Sequence, residues 1–205
     1  MAKHVKIPVD DVIDRFVELV NRWEREPKFG NELPSWLRVG TPHNENYPDG
    51  QALYDWQVRK TDRKEWIDVL EAKLPCPFPP AFRSLVRRYV YPDFTVGPLW
   101  ILANTGEPLY HEMSEFIVRD KHLNKVLHQH GYQQFARPDG GSYDPICFDT
   151  RRKLKGGEYP IVRVEHEAVL CHSRIGKVWE IAPSFLAFVV EVVEKSASTE
   201  QERPP

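Results

Sequence analysis

Residues 135–149 have the sequence FARPDGGSYDPICFD, in which two apolar stretches flank an Asp-Gly-Gly turn. Gly140 and Gly141 are typical of turn positions that need a positive φ. Asp144 precedes Pro145, and a residue before proline favours an extended backbone. The stretch therefore predicts two strands joined by a short connection, and short connections favour antiparallel pairing.

Two more segments follow this stretch in the chain. Residues 160–167 have the sequence PIVRVEHE and predict a strand that reaches a His-Glu pair. Residues 181–188 have the sequence IAPSFLAF, in which Pro183 suits the first turn of a helix. The apolar stripe of that helix consists of Phe185, Phe188, Val189, Val192 and Val193. We expect antiparallel strands at 132–136, 145–148, 159–164, and 168–171 continuing toward 178–181.

Helical spacing of apolar residues dominates the chain before residue 130. We expect helices that begin near Asp10, Asp62, Pro80 and Ser114. The first should end near Glu26, and Gly131 suits a left-handed position at the end of the last. Their main face positions are Val12, Phe16, Leu19 or Val20, and Trp23; Trp66, Val69, Leu70 and Lys73; Phe82, Leu85, Val86 and Tyr89; and Phe116, Ile117, Leu123, Val126 and Leu127. Short strands are expected at 36–39, 54–58, 94–96 and 99–102.

Composition indicates a globular protein of ordinary size. The chain has 205 residues, of which 41% are hydrophobic and 28% charged, and its net charge is -2. This balance gives no reason to expect direct binding to nucleic acid. The 3 cysteines show no CxxC spacing and no pairing pattern, which argues against a disulfide framework or a zinc site. No run approaches the ~20 apolar residues of a membrane span, and the start lacks a signal-peptide pattern. We expect a cytoplasmic location and no membrane partner.

These patterns together predict one α+β domain, built on a mostly antiparallel twisted sheet that is flanked by helices. We place this domain at residues 61–195. Residues 1–60 are expected to form a helix and an irregular extension that packs on the domain. Residues 196–205 are polar and end in Pro-Pro, so we expect a disordered tail.

The order of several short motifs resembles the SUKH superfamily, also called the Smi/Knr or glucan-synthesis-regulator family. A helix bearing Glu71 leads into a Leu-Pro joint, an acidic Gly turn precedes a strand ending in Asp, a strand reaches a His-Glu pair, and a Ser-Phe pair opens the last helix. The residues at these positions are Leu74, Pro75, Asp139, Gly140, Gly141, Asp144, Asp149, His166, Glu167, Ser184 and Phe185. The resemblance covers roughly residues 62–194, and Cys76-Pro77-Phe78-Pro79 expands the Leu-Pro joint. Residues 1–60 align with no part of the family.

The resemblance implies a non-enzymatic α+β domain without a cofactor. Bacterial members are commonly immunity proteins that bind and neutralise a toxin domain, often a nuclease or deaminase. A fungal relative takes part in regulating cell-wall synthesis. The partner we expect is therefore a protein, first a toxin domain and second a component of cell-wall or glucan synthesis for which this chain would be a regulatory scaffold.

A third hypothesis, a small metal-dependent hydrolase, would use His166, Glu167 and Cys171. On a strand, however, Cys171 would face away from His166, so these ligands would not converge. Cys147 lies between apolar residues and is more typical of a buried small side chain than of a nucleophile. The five-residue spacing of Asp139, Asp144 and Asp149 does not fit a calcium loop. We therefore assign no catalytic or metal-binding residue.

Tryptophan side chains at strand or loop positions are the candidates for contact with a protein partner, because exposed aromatics are frequent anchors of interfaces. These candidates are Trp36, Trp56, Trp100 and Trp179. Trp36 and Trp56 belong to the extension, which could alternatively cover an edge of the sheet. The sequence leaves the binding face and the oligomeric state open.

Overall fold

The computed structural model describes residues 7–61, 65–105 and 111–201. The chain begins with helix α1 (Val9–Arg22), in which Asp10 and Asp11 occupy the first turn. Its apolar face is buried as predicted, since Val12, Phe16 and Val20 lie in the main hydrophobic core. The helix ends at Arg22, short of the predicted Glu26, and Trp23 already has an extended backbone with ψ 146°.

The extension after α1 forms a small antiparallel sheet of short strands. These strands are β1 (Lys28–Phe29), β2 (Arg38–Val39) and β3 (Leu53–Trp56), in the order β1-β3-β2. Trp36 was predicted on a strand, and it lies instead in a 3₁₀ turn, Ser35–Leu37, that follows Pro34. The next strand, β4 (Arg59–Lys60), pairs with β5 (Tyr89–Val90) and so ties the extension to the rest of the chain.

Two helices precede the main sheet, α2 (Glu65–Glu71) and α3 (Pro80–Arg88). The predicted cap at Asp62 lies outside the described residues. Val69 was predicted on the apolar face of α2, but its side chain is 54% exposed, and Ile67 is buried instead. The face predicted for α3 is buried as expected.

The main sheet has six strands in chain order, and every neighbouring pair is antiparallel. The strands are β6 (Phe94–Val96), β7 (Leu99–Ile101), β8 (Tyr132–Pro138), β9 (Ile146–Asp149), β10 (Ile161–Val164) and β11 (Val178–Ala182). Together with the helices, this sheet confirms the predicted α+β class. The turn between β8 and β9 also has the predicted form, with φ 87° at Gly140 and φ 80° at Gly141.

The helix predicted to start at Ser114 is divided. Helix α4 (His111–Ser114) runs into a π-helical turn, Glu115–Arg119, and α5 (Lys121–Gln129) follows. Ser114 makes no capping hydrogen bond; the carboxylate of Asp120 instead accepts from the backbone N–H of Leu123 at 3.1 Å. Gly131 has φ 74°, the left-handed conformation predicted for the end of this helix.

The prediction of a strand at 168–171 was wrong, because these residues belong to helix α6 (His166–His172). The helix is favoured locally because the carboxylate of Asp144 accepts from the backbone N–H of His166 at 2.9 Å. Ala168 and Val169 fill the space against the sheet, and Ser173 ends the helix with φ 49°. The strand on which Cys171 was expected to face away from His166 therefore does not exist.

Helices pack on both faces of the sheet. On one face, α1, α3 and the last helix, α7 (Phe185–Gln201), enclose a cluster of phenylalanines. Phe135 and Phe148 stack at a centroid distance of 4.0 Å, and Phe82 meets both rings edge-on. Phe185 meets Phe82 and Phe135 edge-on. On the other face, a smaller cluster joins α5 and α6 to Cys147 and Val162.

The end of the chain differs from the prediction. Residues 196–201 extend α7, although we expected disorder from residue 196 onward. This stretch contains neither glycine nor proline, so nothing in it stops a helix that is already formed. Within the three described ranges, no helix combines the length and the apolar composition needed to cross a membrane.

Candidate partner-binding groove

A groove of about 680 Å³ lies between the segment that follows α1 and one end of the main sheet. Its residues come from the extension, from β6, β7 and β8, and from the turn after β8. They are Trp23, Glu24, Arg25, Glu26, Lys28, Trp56, Asp93, Phe94, Thr95, Trp100, Arg137, Pro138, Asp139, Gly140, Gly141, Ser142 and Tyr143. A second depression of about 480 Å³ shares Trp23, Arg25 and Trp56 with it and reaches His43 and Asp55.

The sheet presents one row of side chains to this groove. Thr95 pairs with Trp100, and Trp100 pairs with Arg137, on three neighbouring strands. Residues directly opposite in a sheet point to the same face, so the three side chains lie side by side. Leu99 and Ile101, which alternate with Trp100, are fully buried on the opposite face. The fold of the sheet thus fixes the positions of Trp100 and Arg137.

Trp100 is held by a polar link to the extension. Its indole Nε1 donates to the carboxylate of Asp93 at 2.7 Å, and the same carboxylate oxygen accepts from Nζ of Lys28 at 2.7 Å. Lys28 belongs to β1, so this ion pair joins the two sides of the groove. The indole therefore keeps a fixed orientation while its side chain remains partly exposed.

Arg25 lies on the extension side of the groove. Its guanidinium carbon is 4.2 Å from the ring centroid of Trp56, within the range of a cation–π contact. Nη1 also donates to Oδ1 of Asn21 at 3.3 Å. Burial lowers the pKa of Arg25, and the charge of Asp55 opposes this effect in part. Trp56 is only 2% exposed and donates to the backbone carbonyl of Glu26, so it supports Arg25 rather than offering a free ring.

Arg137 lies on the sheet side of the groove. Its guanidinium carbon is 4.4 Å from the ring centroid of Phe116. Nε is buried without a hydrogen-bond partner among the described residues. Burial lowers the pKa of Arg137, and the charge of Asp120 raises it in part. In the described part of the chain, neither Arg25 nor Arg137 forms a salt bridge with a carboxylate.

The Asp-Gly-Gly turn forms one wall of the groove. Oδ1 of Asp139 accepts from the backbone N–H of Gly140 at 3.0 Å, and the backbone N–H of Asp139 donates to the carbonyl of Pro98. The carboxylate thus supports its own turn. Tyr143 follows with a side chain that is 67% exposed, the largest apolar exposure on this wall.

The next motif residues, Asp144 and His166, form a separate network. Asp144 is buried, and its carboxylate accepts from Nε of Arg163 at 2.6 Å and meets Nδ1 of His166 at 2.6 Å. Burial raises the pKa of Asp144, but the hydrogen bonds from His166 and Arg163 outweigh it and hold the pKa below its usual value. This network joins the loop before β9 to β10 and the start of α6, so Asp144 and His166 serve the fold.

Asp149 and Ser184 also have structural partners. Asp149 is 1% exposed and accepts from Nε of Arg151 at 2.7 Å and from Nε of Arg152 at 2.8 Å. Ser184 caps α7, because its Oγ accepts from the backbone N–H of Ala187 at 3.0 Å. The adjacent Phe185 is fully buried in the phenylalanine cluster.

The Leu-Pro joint between α2 and α3 is held by Glu71. One carboxylate oxygen accepts from the backbone N–H of Phe78 at 2.9 Å, and the other accepts from Nε of Arg83 at 2.8 Å. Leu74 packs against the core while Pro75 is exposed at the surface of the joint. The expanded segment after Pro75 is thereby folded back onto α3.

The predicted tryptophan candidates fall into two groups. Trp56 and Trp100 line the groove, whereas Trp36 and Trp179 lie outside it. Trp36 is 50% exposed on the 3₁₀ turn of the extension. Trp179 is 43% exposed on β11, where Arg163 lies over its ring at 5.3 Å. The structure therefore brings two of the four candidates together.

The residues weighed for catalysis do not converge. Glu167 and Cys171 are exposed on α6, and Cys147 is fully buried. Burial raises the pKa of the Cys147 thiol well above its usual value, which disfavours the reactive thiolate. Among the described residues, no three His, Cys, Asp or Glu side chains are grouped so that they could hold a metal ion.

Sequence reasoning missed several residues of the groove, above all Arg25, Lys28, Asp93 and Arg137. Arg25 alternates with exposed Glu24 and Glu26, and such alternation after a helix is a weak signal of an inward side chain. Arg137 stands beside the Asp-Gly-Gly turn, but its opposite neighbour Trp100 is remote in sequence. Trp100 and Arg137 become neighbours in the groove only because β7 pairs with β8.

Comparison with known proteins agrees with the order of the motifs. The sequence description of the SMI1/KNR4 family (SUKH-1) matches residues 63–191, well over half of the chain. None of the curated proteins compared with the chain matches it. The match includes β6 to β11 and the Asp-Gly-Gly turn, whereas the extension that supplies Arg25 and Lys28 precedes it. The chain belongs to the SMI1/KNR4 family (SUKH-1).

Proposed function

We propose that this chain is a non-enzymatic protein-binding domain that neutralises a partner toxin domain of the nuclease or deaminase class by covering its active site. Family membership supports a domain of the immunity type. The observation that carries the assignment to a surface is the groove, where Trp100 is oriented by Asp93 and two arginines lie on aromatic rings. Tryptophan and arginine are the side chains most enriched among the energetic centres of protein interfaces.

The hydrogen bonding of the titratable side chains also supports a binding role. Asp144, Asp149 and His166 are engaged in bonds that join strands, loops and a helix. The groove offers fixed side chains with unused hydrogen-bonding capacity, and a partner can use them without any chemical step. A fixed surface also loses little conformational entropy on binding, which favours affinity.

Co-expression tests this function. A growth-arresting toxin domain encoded beside this chain is produced with and without it, and survival and complex formation are measured. We expect rescue of growth and a complex that is stable through purification. No rescue and no complex would overturn the proposal. A gene neighbourhood without toxins, combined with a complex formed with a cell-wall synthesis protein, would favour the regulatory scaffold instead.

Substitutions of tryptophan locate the binding surface. We expect Trp100→Ala to weaken the complex by about tenfold or more, because it removes an oriented aromatic anchor from the groove. Trp36→Ala is the matched control, since Trp36 is exposed outside the groove and its loss should leave affinity and rescue unchanged. The opposite pattern would place the interface on the 3₁₀ turn of the extension. Circular dichroism of both variants checks that each remains folded.

A further inference from the structure

We infer that the groove binds an acidic segment of the partner protein, whose carboxylates are received by Arg25 and Arg137. This inference rests on the proposed function and specifies the chemistry of the partner. The first argument is the position of the two guanidinium groups relative to aromatic rings. Each lies over an aromatic ring, Arg25 over Trp56 and Arg137 over Phe116. A ring face holds the plane of a guanidinium and leaves its N–H edges available for bidentate bonds to a carboxylate.

The second argument is that, among the described residues, neither guanidinium forms a salt bridge with a carboxylate. Elsewhere in the described ranges, most arginines form salt bridges with carboxylates, and Arg15, Arg59 and Arg174, which form none, are exposed. The paired arginines include Arg38, Arg83, Arg88, Arg119, Arg151, Arg152 and Arg163. Arg25 and Arg137 lack such a pair in the same ranges, although both are partly buried. Asp55 and Asp120 compensate these two cations only in part, since burial still lowers both pKa values. Burial of an incompletely compensated cation costs free energy. A carboxylate from a partner would offset that cost, so the two sites favour an anionic ligand.

The groove lining also contains four carboxylates, which restrict how acidic the bound segment can be. Asp93 is paired with Lys28, whereas Asp139 accepts the N–H of its own turn and keeps its charge. Glu24 and Glu26 are exposed at the rim, where water and salt screen their charges. They would still repel a segment of high charge density. The geometry therefore fits a segment with a few carboxylates separated by apolar or aromatic residues, which can contact Trp100 and Tyr143.

The test measures peptide binding to the full chain by fluorescence anisotropy. The probes are a labelled peptide in which Glu alternates with Phe, and two peptides of equal length in which Gln or Lys replaces Glu. We expect the Glu peptide to bind more tightly than both others, and its affinity to fall with added salt. Equal binding of the Glu and Gln peptides would overturn the inference.

Variants assign the effect to the two arginines. Arg25→Gln and Arg137→Gln should each weaken binding of the Glu peptide by about tenfold, the cost typical of losing one close charge pair. Arg174→Gln is the control, because Arg174 is exposed outside the groove. It removes the same charge and should leave binding unchanged. Equal losses in all three variants would show a general charge effect and would contradict a specific site.

The co-expression assay separates this inference from the proposed function. If the wild-type chain rescues growth and the double variant Arg25→Gln/Arg137→Gln rescues it equally well, the acidic-segment inference fails and the immunity function stands. If the Glu peptide binds through both arginines and no toxin is neutralised, the groove chemistry stands and the immunity function fails.

Discussion

Two groups of arginines in this molecule differ in the partners of their guanidinium groups. Arg151, Arg152 and Arg163 donate to buried carboxylates at strand ends. Arg25 and Arg137 lie on aromatic rings and, within the described ranges, have no such partner. The first group stabilises the fold by binding Asp144 and Asp149, which belong to the family motif. The second group faces the groove.

The difference shows how one stretch of sequence serves two purposes. Asp139, Gly140 and Gly141 form a wall of the groove, and Asp144, a few residues later, begins the structural network with Arg163. A buried carboxylate must keep its donors, so such positions tolerate little change. Arginines that lie on a ring face without a carboxylate partner, as Arg25 and Arg137 do, keep donors that a ligand can recruit. Fold and binding are therefore separable by mutation.

The largest effect should come from Asp144→Ala. This substitution removes the acceptor of Arg163 and of two groups of His166, the backbone N–H and Nδ1. We expect the free energy of unfolding to fall by about 2–3 kcal/mol, because three hydrogen bonds lose their shared buried acceptor, while the partly exposed side chains of Arg163 and His166 can bind water instead. Urea denaturation followed by circular dichroism measures the change.

Arg137→Gln is the counterpart of that variant in the groove. It removes a cation that forms no salt bridge in the described part of the chain, so we expect the free energy of unfolding to change by less than about 1 kcal/mol. Its effect should instead be seen in binding. If Arg137→Gln destabilised the protein as much as Asp144→Ala, the separation into structural and binding arginines would be wrong.

A smaller effect is expected for Asp149→Asn, with a defined dependence on pH. Burial raises the pKa of Asp149, but bonds and charges of Arg151 and Arg152 outweigh it, so the pKa lies below its usual value. Ionised Asp149 thus stabilises the fold above the unfolded-state pKa of about 3.9, and this stability is lost as pH falls through the folded-state pKa. At pH 7 we expect the variant to be less stable by about 1–2 kcal/mol, since both arginines are half exposed.

The pH profile is the check on this explanation. The difference in unfolding free energy between wild type and Asp149→Asn should shrink as pH falls below about 4, because the wild-type carboxylate then also loses its charge. A difference that stayed constant from pH 7 to acid would assign the effect to packing rather than to the ion pair.

Local signals predicted much of the fold. The Asp-Gly-Gly turn requires positive φ at two adjacent positions, which glycine adopts without strain, and both glycines have it. The stripe of Phe82, Leu85 and Val86 has the period of a helix and is buried. Such features depend on residues close together in sequence, and a single sequence contains all of that information.

Errors arose where a distant residue decides the local structure. Residues 168–171 suit a strand, yet Asp144 binds the N–H of His166 and α6 forms. Glu158 gave no signal, although its carboxylate accepts from the N–H groups of Ala81 and Leu186 at the starts of α3 and α7. The groove was missed for the same reason, because Arg25 and Arg137 come together only through the packing of the extension on the sheet.

The smallest effect is predicted for Asp93→Asn, which leaves the paired cation of Lys28 without its partner. Asp93→Asn keeps an oxygen that can accept from the indole of Trp100 and removes the charge that pairs with Lys28. Both side chains of that pair are partly exposed, so we expect the unfolding free energy to change by less than about 1 kcal/mol. Freed Lys28 should then attract the Glu peptide, and we expect binding about two- to threefold tighter in the anisotropy assay.

Asp68→Asn is the matched control for this variant, since Asp68 forms a partly exposed pair with Arg83 outside the groove. It removes the same charge from the chain, so the Glu peptide should bind it as it binds the wild type. Equal tightening in both variants would mean that net charge, and not the groove, governs binding. Weaker binding by Asp93→Asn alone would show that orientation of Trp100 by the ionised carboxylate matters more than a third free cation, because the amide is the weaker acceptor.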